Sequence, residues 1–155
     1  MKRSTCVYLQ QDSFWLMLFR NKKQDDVNQG KWIGVGGKAE GNETYEACAL
    51  REVKEETGLD VFDLTFRGFV DFHYDIKEPE RIAIYTGTRF SGSLQETREG
   101  ELAWIAEKDI LSLPLWEGDR IFLKRLLNHE EAVFHLVLHY NNNDELLSVS
   151  EGETV

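Results

Sequence analysis

Residues Gly37–Leu59 read GKAEGNETYEACALREVKEETGL, and the fold turns on how this stretch is understood. From Glu43 to Thr57 it sets Ala47, Ala49, Leu50 and Val53 among many glutamates, a helix former's composition. Gly58 follows where a C-terminal cap belongs, so the pattern predicts a helix over 43–57. On such a helix Glu52, Glu55 and Glu56 stand at i, i+3 and i+4, on one face and within reach of a shared ion. Their mutual repulsion calls for a cation. Hard oxygen donors suit Mg²⁺, with Mn²⁺ as the other candidate, held by a few carboxylates together with phosphate oxygens and water.

Outward from this helix the chain alternates short strand-like runs with polar breaks. Cys6–Leu9 and Phe14–Phe19 flank a polar Gln-Gln-Asp-Ser turn and predict a hairpin, and Asn21–Gly30 reads as a loop. Trp32–Gly37 carries three glycines, as a short strand does when it runs into a loop that must approach something closely. Gly36 and Gly37 thus offer backbone groups to a metal or to phosphates. Phe62–Tyr74 and Ile82–Phe90 predict a second hairpin around Pro79, and Leu102–Ile105 another strand. Asp119–Leu127 predicts a second helix, and Ala132–Tyr140 with Leu146–Val149 a closing hairpin. Strands and a few helices with short connections imply an α+β class or a mixed-sheet α/β sandwich, as one domain over residues 1–150 with a short flexible tail over 151–155.

Composition bounds the partners. The 155 residues carry 28 acidic and 18 basic side chains, net −10, a field that repels a nucleic-acid polymer. The longest apolar runs are too short to cross a bilayer, and no secretory leader pattern is read at the N-terminus. Two cysteines, Cys6 and Cys48, without metal-binding spacing, suit a reducing cytoplasm. The four histidines, His73, His129, His135 and His139, read as surface or structural residues, and Cys48 as a small packed one.

Three glutamates on a helix are by themselves an ordinary solvated face. What singles these out is the frame: Gly37, five residues, Glu43, seven residues, Arg51-Glu52-Val53, one residue, Glu55-Glu56, one residue, Gly58-Leu59. Chance occurrence of that frame is below roughly 10⁻⁶. The stretch resembles the Nudix box at every fixed position. The resemblance implies a loop-helix-loop in an α/β/α sandwich and hydrolysis of a phosphoric anhydride. It implies metal ligands at Glu52, Glu55, Glu56, the Gly36 carbonyl and an acidic residue before a strand Trp, which is Glu99 ahead of Trp104, with Glu101 as competitor. The expected catalytic group is Glu52, Glu55 and Arg51, with Glu52 as general base by analogy to the family and Arg51 expected to lock Glu43 or a ligand carboxylate in place.

A second likeness covers most of the chain. Lys31–Lys38 (KWIGVGGK), Trp116-Glu117-Gly118-Asp119 and the closing strand pair are similar to the MutT-type oxidised purine nucleoside triphosphatases. That branch converts 8-oxo-dGTP to its monophosphate and pyrophosphate and so clears the nucleotide pool for DNA repair. Under it Trp116 and Asp119 contact the base, while Lys23, Gly37 and Lys38 belong with the phosphates. From chemistry alone Trp116 is equally a stacking surface or a core residue at a helix capped by Asp119. The eukaryotic relatives carry Asn where Ile33 stands and a second acidic residue where Gly118 stands. The expected partner is a small nucleoside triphosphate, with no membrane, in a monomer or homodimer. The alternatives are a pyrophosphatase for ADP-ribose or another nucleoside diphosphate derivative, which the 36 residues before Gly37 count against, and a non-hydrolytic Nudix-like ligand-sensing module, against which the intact glutamates count. An RNA-directed member would want a basic channel.

Overall fold

The computed structural model describes residues 1–154; Val155, the last residue of the expected tail, lies outside the described residues. Among them ten strands occur: β1 (Lys2–Gln11), β2 (Phe14–Arg20), β3 (Trp32–Ile33), β4 (Asp60–Val61), β5 (Thr65–Tyr74), β6 (Glu80–Gly87), β7 (Phe90–Ser91), β8 (Gly100–Ala106), β9 (Phe134–Tyr140) and β10 (Leu146–Glu151). Two α-helices, α1 (Tyr45–Thr57) and α2 (Glu117–Leu127), and a 3₁₀ helix at Glu107–Ser112 complete them.

Alternation along β1 explains the layers. Val7 and Leu9 point to one face, where Ala49 and Val53 of α1 meet them together with Leu16 and Val35. Tyr8 points to the other, where Phe122, Leu123 and Leu126 of α2 cover Met17, Val70, Ile84, Leu136 and Leu138. A central strand buried on both sides needs a continuous apolar run, as Val7–Leu9 provides. Each fully buried leucine or valine here contributes about 1.5–3 kcal/mol. The result is an α/β/α sandwich on a mixed sheet, the architecture expected. The order is β10-β9-β5-β6-β1-β2-β3, with β8 branching off β2 and β4-β7 a separate pair. β1 runs parallel to β6 and β5 parallel to β9; the other named pairs are antiparallel.

Several local expectations shift. β1 and β2 do join at a tight turn, but their register holds only Gln10 opposite Trp15 and Gln11 opposite Phe14. Upstream, β1 pairs along one edge with β6, and on the other exchanges bonds with Val35 and Gly37, so β2 takes β8 as its main partner. Helix α1 begins at Tyr45, not Glu43, because Thr44 is its N-cap and accepts from Ala47 N–H at 3.0 Å. Helix α2 begins at Glu117, so Asp119 lies in its first turn and is not its cap; its own N–H donates to the Trp116 carbonyl. The strand expected over 62–74 is interrupted where Asp63 turns to accept bonds from Thr88 and Arg89. The second and closing hairpins are present, and β10 continues to Glu151, after which Gly152 N–H donates to His135 O.

Candidate active site

The loop before α1 is stitched to β1. Thr5 N–H donates to Gly37 O at 2.9 Å, and a Cβ on Gly36 would stand 1.9 Å from Thr5 O, so only glycine allows this approach. A Cβ on Gly37 would meet the Glu52 carboxyl at 2.5 Å; the missing side chain is the space that carboxyl occupies. Among the described residues no donor reaches the Gly36 carbonyl, which leaves it available at the edge of the cavity. Cys48, buried on α1, lies 3.4 Å from both Thr5 Oγ1 and Gly37 O and helps fix the loop.

Arg51 organises the helix face. Its fork takes both Glu43 oxygens, at 2.8 and 2.9 Å, while Nη1 reaches Glu52 Oε1 at 2.8 Å and Glu55 Oε2 at 3.2 Å. Nη2 also donates to Lys38 O at 3.1 Å. These bonds hold the Glu43 carboxyl down at about 2. Glu55, with its side chain 59% exposed, is the outermost of the three box glutamates. Glu56 turns the opposite way and is buried; Thr97 Oγ1 donates to it at 3.2 Å. Burial first, and then the neighbouring Glu99 carboxylate, push Glu56 up to about 8. Burial also raises Glu52, with the Glu55 and Glu99 charges adding to it against the opposing pull of Arg51.

The Glu99 charge thus raises the proton affinity of both Glu52 and Glu56 and draws the three carboxylates into one electrostatic group. Together with the Gly36 carbonyl they are a hard-oxygen donor set that matches Mg²⁺ or Mn²⁺ in chemistry. The side chains are not gathered into a compact cage among the described residues, because Arg51 draws Glu52 and Glu55 to itself. Glu99, not Glu101, is the strand-edge carboxylate brought to this cluster; Glu101 is exposed and pairs with Asn21.

A cavity of about 560 Å³ opens from Glu52 and Glu99 and extends to Trp116 and Asp119. Lys23 and Lys38 line its carboxylate end, with Lys23 Nζ 3.9 Å from Glu99. At the other end Trp116 is only 3% exposed. Its Nε1–H donates to Asn28 Oδ1 at 2.8 Å, the Lys31 ammonium sits 4.1 Å above its ring, and Phe72, Tyr74 and Tyr140 pack edge-on. The Trp is thus packed as a core residue that also lines the cavity. Lys31 is itself tied to Asp144, which accepts from Tyr74 OH at 2.6 Å. Asp119 faces the cavity and burial raises it to about 7. A side chain at Gly118 would strike Leu138 at 2.4 Å and the Tyr140 hydroxyl at 2.7 Å, so a second acidic residue has no room there.

Sequence reasoning passed over Arg20 and Asp26. Arg20, 6% exposed, donates to Asp26 Oδ2 and to Glu99 Oε2, each at 2.7 Å. The available signal was a charge closing the apolar run of β2, with acids in the loop beyond it. Lys31 and Asp144 were likewise unread as a pair, being 113 residues apart.

The likenesses to known proteins follow this layout. A NUDIX domain model matches residues 2–126. The chain is 28% identical over 155 residues to the Nudix hydrolase YvcI of Bacillus subtilis (strain 168), covering 96% of this chain and 92% of that one. It is 30% identical over 133 residues to the oxidized purine nucleoside triphosphate hydrolase of Mus musculus, covering 84% and 83%. The crystal structure of a mutator MutT protein from Bacillus halodurans superposes with a TM-score of 0.85 at 26% identity over 97% of both chains. A MutT NUDIX hydrolase from Burkholderia pseudomallei does so at 0.69 and 28%, over 81% and 97%. With its glycine loop, its Arg51-organised glutamate helix and this domain match over most of its length, the chain belongs to the Nudix hydrolases.

Proposed function

We propose that this hydrolase cleaves purine nucleoside triphosphates to the monophosphate and pyrophosphate, with Mg²⁺ or Mn²⁺ as cofactor and 8-oxo-dGTP as its substrate. The observation that carries the reading is the single cavity that joins a cluster of carboxylates at one end to Trp116 and Asp119 at the other. Its volume lies within the usual range for a small-molecule site of about 300–1,000 Å³. The oxidized purine hydrolase relatives from mouse and zebrafish, each at 30% identity, support the substrate class.

Glu52, Glu55, Glu56, Glu99 and the Gly36 carbonyl would hold the ion, which when bound neutralises phosphate charge and lowers the pKa of a water. Glu52 is the general base: Arg51 holds one of its oxygens, and the other is left to take the proton of the attacking water. Water oxygen bonds to phosphorus as the bond to the pyrophosphate leaving group breaks. Arg51 acts through Glu52 and Glu55 and is a positioning residue. Lys23, Lys38 and the backbone of Gly37 serve the phosphates. At the far end Asp119, whose carboxyl burial raises to about 7, faces the base as a polar group. Ile33 and Gly118 contribute no polar side chain, so Asp119 with Asn28 carries base selection.

The test separates products by chromatography after incubation of 8-oxo-dGTP with Mg²⁺ and either the native chain or Glu52→Gln. Monophosphate and pyrophosphate from the native chain, with turnover down by about 100-fold or more in the variant, is the expected result. Release of inorganic phosphate and a diphosphate, or full turnover by Glu52→Gln, would contradict the assignment.

A further inference from the structure

We propose that Arg20 and Asp26 are positioning residues that hold Glu99 against the metal cluster and tie that hold to the loop beneath Trp116; this rests on the reading of Glu56 and Glu99 as metal ligands. Arg20 ends β2 with a buried guanidinium, and a buried charge persists only when its donors are matched. Nε–H donates to Asp26 Oδ2 and Nη1–H to Glu99 Oε2, each at 2.7 Å, the short length of charge-assisted bonds. The backbone repeats the connection: Arg20 N–H donates to Lys31 O, Gly30 N–H to Arg20 O and Lys22 N–H to Glu99 O.

From this centre polar contacts run both ways, and Arg20, Asp26, Asn28, Glu99 and Trp116 among their members line the cavity. Toward the cluster, Glu99 N–H donates to Thr97 Oγ1 at 3.2 Å, and that hydroxyl donates to Glu56 Oε2. Toward the base end, Asn28 N–H donates to Asp26 Oδ1 at 3.1 Å, and Asn28 Oδ1 accepts from Trp116 Nε1–H at 2.8 Å. Glu99 lies on an irregular stretch just before β8 and is 30% exposed on its side chain. Arg20 is the buried group that fixes where its carboxylate points. Lys23, the other cation near Glu99, is 56% exposed and 3.9 Å away, and cannot fix that direction.

A lysine at position 20 keeps the charge but lacks the planar fork that spans two carboxylates. Mn²⁺ binding to the nucleotide-free chain, measured by titration calorimetry, reads the effect without turnover. Arg20→Lys should weaken Mn²⁺ binding by about 10- to 100-fold, the scale of losing a ligand's supporting partner. Asp26→Asn, which leaves Arg20 in place but uncharges its anchor, should weaken it in the same direction by at least about threefold, with melting temperature followed in both. Glu56→Gln is the reference that removes a ligand. If Arg20→Lys and Asp26→Asn both bind Mn²⁺ as the native chain does while Glu56→Gln does not, the positioning role is overturned and the metal site stands. If Glu56→Gln binds as the native chain does, the metal reading falls and takes this inference with it.

Discussion

Glu56 is buried beside Glu99, and burial first, then the neighbouring carboxylate, draws Glu56 up to about 8. A group placed so is costly to the fold and valuable to a cation, which predicts opposite effects on activity and stability. Glu56→Gln should lower kcat by about 100-fold or more while leaving the melting temperature equal or higher, since it removes a buried carboxyl that is costly to ionise. Near-native turnover would contradict the ligand role. Asp119 offers a second test at this scale. Its folded value near 7 lies above that of an unfolded aspartate, so between about pH 4 and 7 the unfolded chain ionises while the folded one stays protonated. Stability therefore falls as pH rises through that window and stays lower above it. Asp119→Asn should melt higher relative to the native chain at pH 8 than at pH 4, by at most about 4 kcal/mol. Equal differences at the two pH values would show that Asp119 is not desolvated.

Among the elements, α1 carries the glutamates proposed to act, and its ends determine where they lie. Thr44→Ala removes the bond to Ala47 N–H and should cost about 1 kcal/mol, about 2–4 °C in melting temperature, with kcat little changed because Arg51 still anchors the face. Differential scanning calorimetry checks it; a large loss of activity at unchanged stability would mean that the cap, and not Arg51, sets the carboxylates. The helix itself was legible because its signals are local: periodicity, glutamate content and Gly58 as a left-handed C-cap. Its first turn was misread because Glu43 is helix-like in composition yet is drawn back by Arg51, a tertiary bond that propensity does not register. The β1–β2 hairpin was half legible for the same reason. A turn is written in adjacent residues, but the choice of β6 and β8 as partners depends on strands 78 to 92 residues away.

Across the whole molecule, the sheet brings the loop after β2, the approach to β8 and the start of α2 around one cavity, while the closing hairpin is tied to its Trp116 end through Asp144 and Lys31. The glutamate box could be read from sequence because its spacing is fixed over 23 residues. The opposite end could be read only in part: Trp116 and Asp119 stood out by type, whereas Asn28, Lys31 and Asp144 became visible only once the chain had folded. Gly118 has a similar lesson, since its lack of a side chain follows from the closeness of Leu138 and Tyr140 on β9. The central claim is that one cavity couples the carboxylate chemistry to an oxidised purine, and kcat/KM measured with Mg²⁺ for 8-oxo-dGTP, dGTP and ADP-ribose tests it most directly. The highest value is expected for 8-oxo-dGTP, with its monophosphate and pyrophosphate as products; a preference for ADP-ribose, or no discrimination between 8-oxo-dGTP and dGTP, would contradict the proposed substrate.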